Sequence, residues 1–457
     1  MPSIRRSLAT SAATLLALAF LPTAARGTPG VWDDGGTPSA NWGTATNWVG
    51  DVIPVNGDNL DFSAHAAVAN LTVTHNIAAL TSIGSITFTS KQFTLAGNAL
   101  SISGGIFNNS AVTQTVSFGT TGLTLTAAQQ FNAQGGALAV TSAVNLNGNL
   151  LTVTGAQNTT LSGAVSGGTG ITKNGNGILA ISGANSYTGT TSLNFGTLSV
   201  QNATALGTST LAVNGGTLDI GTASAIANGL SVGGDFTITV TGGGTGTLSG
   251  PINLNGAVRT ITNGTSTSFV VLGGVISNGG LTLRSTGVIG TFQTTGAAAN
   301  TSTGLTTLLD NTSFRLGRTV LNGSVAGDLL IGGTAAATLD ASDQIADTAT
   351  VTVNSNGLTG FQNKGLELHN FNETIGSLLG TGTVGLGSGT LTVGAGNFSG
   401  VITDGFFGVG GKLVKNTAGT LTLSGANTYT VTTKAEKGTL LLGASNTLAD
   451  GHRRDDP

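Results

Sequence analysis

Two segments of this 457-residue chain repeat one another at a fixed distance, and that constrains its fold more than any reactive residue. Residues Lys173 to Thr188 read Lys-Asn-Gly-Asn-Gly-Ile-Leu-Ala-Ile-Ser-Gly-Ala-Asn-Ser-Tyr-Thr; residues Lys415 to Thr430 read Lys-Asn-Thr-Ala-Gly-Thr-Leu-Thr-Leu-Ser-Gly-Ala-Asn-Thr-Tyr-Thr. An offset of 242 relates Lys173 to Lys415, Gly183 to Gly425, Asn185 to Asn427, Tyr187 to Tyr429 and Gly196 to Gly438, with no insertion between the copies. The tripeptide Gly-Thr-Leu recurs at Gly196, Gly216, Gly246, Gly389, Gly419 and Gly438, often 20 or 30 residues apart. Self-similarity at such periods marks a repeat architecture, in which one supersecondary unit of roughly 20 to 30 residues stacks on the next.

Each unit is made of strands. Short runs such as Leu123 to Thr126, Phe236 to Val240 and Leu421 to Leu423 alternate aliphatic residues with Thr, the period-two pattern of strands with one dry face. Asn-Gly and Gly-Gly pairs between the runs supply turns. With 39% apolar residues and 8% charged ones the chain is too hydrophobic for disorder, and its 74 glycines lack the period of three that collagen needs. The expected fold is all-β: a right-handed parallel β-helix (β-solenoid) over 64–450, with aliphatic residues inside and Thr, Ser and Asn outside. A propeller would need recurring Trp-Asp signals, and only Trp32-Asp33 exists.

The ends read differently. Arg5 and Arg6, an apolar stretch from Leu8 to Leu21 and small residues after it form a signal-peptide pattern over 1–26, with an uncleaved anchor helix as the alternative. Trp32, Trp42 and Trp48, followed by Phe62, define an N-terminal cap over 27–63, since an open solenoid end exposes apolar interior and unpaired strand edges. The alternative use of the three indoles is a platform for sugar contact. Residues 451–457 form a polar tail.

The phrase from Leu413 through Thr430, its partner from Lys173, the segments Phe371 to Leu378 and Asn397 to Ile402, and the tryptophan-rich head resemble the autotransporter-associated β-strand repeat proteins of bacteria. That resemblance implies a secreted or surface-displayed β-helical passenger, usually followed by an outer-membrane translocator. This chain shows no series of roughly ten-residue amphipathic strands with which to build its own barrel. In the second copy Val431 stands where the first has Gly189, so a turn that needed positive φ there could not be the same in both.

Chemistry is sparse. Without cysteine the chain has no disulfides, and a net charge of −3 gives no footprint for nucleic acid. His65, His75, His369 and His452 lack metal-ligand spacing and are expected on solvated strand faces; no metal or other cofactor is called for. Asp340, Asp343 and Asp347 are the best local carboxylate cluster, yet an internal echo at 444–450 places Asn446 opposite Asp343, as a turn residue would allow. Glu367, Glu373 and Glu436 make no evident pair. Lys173 and Lys415 read as solvated strand-end charges, and Tyr187 and Tyr429 as buried rings with the hydroxyl on a backbone group. The functional expectation is therefore an exported structural or adhesive surface protein, not an enzyme, meeting surface polysaccharide or neighbouring cells. The alternative is a polysaccharide lyase or glycosidase on the same fold.

Overall fold

The computed structural model describes residues 30–36, 39–63, 70–119, 122–221, 225–265, 269–287, 289–358, 364–405 and 408–443. The signal-peptide and polar-tail readings therefore lie outside the described residues, as do His65, His452 and the echo at 444–450. Among the described residues no helix is long and apolar enough to cross a membrane, which leaves β-barrel spans unaddressed.

Strand follows turn throughout, as the alternation requires, and every strand lies beside its counterpart one coil away. The result is a parallel β-solenoid of about 16 turns. Leu151–Val153 pairs in parallel with Ile171–Lys173, that strand with Thr191–Leu193, and that in turn with Leu211–Val213, each step being 20 residues. On the neighbouring face Leu179, Leu198, Leu218 and Ile238 stack in register, and all four are fully buried. Because the side-chain period is two, the residues between them face outward, which fixes register over the whole column. From residue 225 onward a separate nine-stranded parallel sheet forms another face of the column.

At the first coils the chain folds back on itself. Trp48 bridges Trp32 in antiparallel fashion while Trp32 pairs in parallel with Phe62, so residues 47–49 satisfy the outer edge of the strand Gly30–Trp32. Residues 40–42 do the same for the strand Asn70–His75. All three indoles are inside, at 0%, 0% and 1% exposure. They meet edge to face, Trp32 on Trp48 at 5.2 Å and Trp42 on Trp48 at 6.0 Å, and continue into Phe62, Phe88 and Phe93. The sugar platform is therefore not formed: large rings gain more by filling the first coils than by facing water. His75, expected on a solvated face, is likewise buried against Trp42, with Nε2 3.0 Å from the Leu80 carbonyl.

Candidate functional site

The repeat residues come together in each copy as a set of contacts between coils. Lys173 ends an inward-alternating strand, and its ammonium is turned into the corner, where it donates to the carbonyls of Gly175 at 2.6 Å, Phe195 at 3.2 Å and Asn174 at 3.3 Å. Phe195 belongs to the next coil. Lys415 repeats the arrangement with the carbonyls of Thr417 and, at 3.0 Å, Lys437. Both lysines are buried, at 2% and 0% exposure, which corrects the expectation of solvated charges. A carbonyl cluster at a glycine corner can hold a cation that no carboxylate neutralises, because hydrogen bonds to a charged donor are strong. Burial pulls the Lys173 ammonium down to about 8 and lowers that of Lys415.

The glycine at the far end of each repeat is required by the same lysine corner. Gly196 has φ +69°, and a Cβ there would lie 2.4 Å from the Gly175 carbonyl oxygen and 2.7 Å from Lys173 Nζ. Gly438 has φ +77° and would meet the Thr417 carbonyl oxygen at 2.3 Å. Gly183 and Gly425 have another reason: they lie against the carbonyls of Gly163 and Gly400 in the coil before.

Asn185 spans three coils. Its Oδ1 accepts from the Val165 amide at 2.7 Å and its Nδ2 donates to the Ala205 carbonyl at 2.5 Å. Asn427 accepts in the same way from Ile402 at 2.8 Å. Tyr187 and Tyr429 are fully buried as expected, and the hydroxyl of each meets a threonine side chain, Thr191 at 2.7 Å and Thr433. Burial pushes both hydroxyls up to about 12. Sequence reading missed the two threonines, although they too are related by 242 and each stands four residues after its tyrosine.

Val431 replaces Gly189 without a positive-φ requirement, since Gly189 does not adopt one. What Gly189 needs is space: a Cβ there would be 2.0 Å from the carbonyl of Thr169. In the second copy Gly410 has φ +101°, and Val431 Cγ2 lies 3.8 Å from where a Cβ on it would be, an ordinary contact distance. Thr430 is then fixed by Asp404, which accepts from its amide and its hydroxyl.

The carboxylates fall into separate roles. Asp340 accepts two bonds from the Arg315 guanidinium, at 2.7 and 2.8 Å. Asp343 is a left-handed turn residue with φ +51°, and burial followed by the charge of Asp347 raises its carboxyl. Glu373, which makes no evident pair in sequence because its neighbours here belong to another coil, accepts from the amides of Gln344 at 2.8 Å and Ile345 at 3.2 Å. Burial, with a lesser push from Asp343, raises it to about 8. Among the described residues no group of His, Asp and Glu is arranged to hold a metal ion. A cleft lined by Ile276, Asn300, Phe314 and Ser324 has a volume of about 10 Å³, room for one water and not for a sugar.

A family model described as the passenger-associated-transport-repeat matches residues 171–200 and 413–442, the two segments whose contacts are set out above. No curated protein and no solved structure matches the chain. The lysine corner, the inter-coil asparagine and the buried tyrosine all fall within the matched residues, and the repeats mark the chain as an autotransporter passenger-like β-helix protein.

Proposed function

We propose that this chain works as an exported, non-catalytic structural or adhesive element, a stiff column displayed at or released from a bacterial surface, with the tryptophan-rich head as its N-terminal cap. One observation carries the reading. The polar residues that define the repeat bond one coil to the next, which builds a rod and leaves recognition to the outer side chains. A solenoid whose stability is a sum over neighbouring coils suits that use, because length can be added without redesign. The partners on this reading are surface polysaccharides or neighbouring cells, met through many weak contacts.

The test is display and adhesion. Cells exporting the full chain should retain it at the surface or release it to the medium, and beads coated with it should collect on cells or polysaccharide; absence of both behaviours would remove the proposal. A polysaccharide-cleaving activity is the second reading, favoured by the charge of Asp347 acting on Asp343 and that of Asp343 acting on Glu373. Turnover of a polysaccharide by the purified chain, abolished by Asp343→Asn, would establish that reading instead.

A further inference from the structure

We propose that the corner formed by Asn174, Asn194, Asn214 and Phe195 is a docking strip for an extended, neutral polysaccharide lying along the solenoid axis. This rests on the adhesive reading above and names where and what the rod binds.

Three observations converge on that corner. The amides form a ladder, Asn194 Nδ2 donating to Asn174 Oδ1 at 2.8 Å and Asn214 Nδ2 to Asn194 Oδ1 at 2.8 Å. Adjacent rungs are about 4.8 Å apart. A primary amide has two N–H groups and two acceptor lone pairs, so the ladder bonds leave Asn194 and the exposed Asn214 with capacity to spare. Beside them Phe195 presents its ring to water at 62% exposure, more than Phe269 at 37%, while Trp32, Trp42, Trp48, Tyr187 and Tyr429 lie inside. Its backbone is not free to move with the ring, because Lys173 holds the Phe195 carbonyl from within.

The second copy shows that the fold does not require an aromatic residue at this place. The same lysine corner there carries Glu436 and Lys437 where the first copy carries Asn194 and Phe195, and Glu436 is paired with Lys434 at 3.1 Å. The mount is constant and the tip differs. The lysine corner does not ask for this ring, and its exposure leaves it available to a partner.

The chemistry of the strip defines the occupant. Residues 174–177, 194–197 and 214–217 carry no charge, so a phosphate or uronate polymer finds no cation; the Lys173 ammonium is buried and committed to carbonyls. A flat hydrophobic ring beside a row of amides matches the two faces of a pyranose, C–H groups on one side and hydroxyls at the rim. The sugar units of an extended chain repeat at close to the rung spacing, so successive units meet successive amides.

Native affinity electrophoresis of the purified full chain tests this, in gels containing hydroxyethyl cellulose, xyloglucan, mixed-linkage β-glucan or galactomannan, with polygalacturonate as the acidic control. Retardation in at least one neutral gel is expected, weakened on the order of tenfold by Phe195→Ala, the equivalent of one ring contact. Asn214→Ala should weaken it as well, and Phe195→Trp should preserve it. Because the ring is exposed, unchanged thermal unfolding of Phe195→Ala will show that the fold is intact. Retardation that Phe195→Ala leaves unchanged overturns the site while the adhesive reading stands. No retardation in any neutral gel, or retardation in polygalacturonate alone, overturns the proposal; bead adhesion to cells decides the broader reading separately.

Discussion

A lysine that hydrogen-bonds three carbonyls inside a column is a commitment that a single substitution can expose. Replacing Lys173 by Met keeps the apolar stem and removes the donor, leaving the carbonyls of Asn174, Gly175 and Phe195 without their partner. The expected loss is about 1 to 3 kcal/mol, seen as faster amide exchange in the strands on either side of the corner. The wild-type group has a sign that can be checked. Its folded value lies near 8, below that of a free lysine near 10.4, so between those values the unfolded chain binds more protons. Stability from this group therefore rises with pH across the window from about 8 to about 10.4, and Lys173→Met should remove that part of the slope in denaturant titrations. An unchanged slope would mean that the corner is wetter than its burial implies. None of this was legible from Lys173 itself, because a lysine after a short strand reads as solvated until the next coil is in place. Its partner Gly196 was legible as a repeat position, though the reason for it, a carbonyl and an ammonium from the coil before, was not.

At the scale of the element, the two copies solve one packing problem by different routes. Gly189 lies so close to the Thr169 backbone that any Cβ overlaps it, whereas Val431 lies at ordinary contact distance from Gly410, beside the Asp404 contacts to Thr430. Gly189→Val should then destabilise by about 1 to 3 kcal/mol or more through overpacking, while the reverse change, Val431→Gly, should cost less because Val431 is only half-buried. Thermal unfolding of the two variants beside the parent checks the asymmetry; equal effects would sink it. The strands themselves were readable, since alternation of Thr with Leu, Val or Ile names the inward residue at every step. Leu198→Ala, which empties one place in the column of Leu179, Leu218 and Ile238, should cost about 2 to 5 kcal/mol by the same measurement. What alternation could not show was the company each turn keeps: Glu373 reaches Gln344 and Ile345 across a coil boundary 28 to 29 residues away.

For the whole molecule, the absence of cysteine leaves coil-to-coil contacts as the means of holding the column together, and two buried glutamates make one stretch sensitive to acidity. Glu367 and Glu373 are both buried, at 0% and 1% exposure. Burial raises Glu367 to about 7, opposed by the nearby Lys364, and Glu373 to about 8, assisted by the nearby Asp343. Free glutamates titrate near 4.3, so between that value and 7 or 8 the folded chain holds protons that the unfolded chain has released. The stabilising contribution is complete below about 4.3 and is lost as pH rises through the folded values, opposite in sense to the usual salt-bridged carboxylate. Because a solenoid opens coil by coil, the effect should be local. Hydrogen exchange corrected for intrinsic rate should show protection of the strands Thr350–Val353, Glu373–Gly380 and Thr390–Phe398 falling from pH 5 to pH 8. The strands around Leu198, far from both glutamates, should not follow. Glu373→Gln, which stays neutral, should flatten the dependence in the stretch near residue 373; if its protection still fell with pH as in the parent, Glu373 would not be the group responsible.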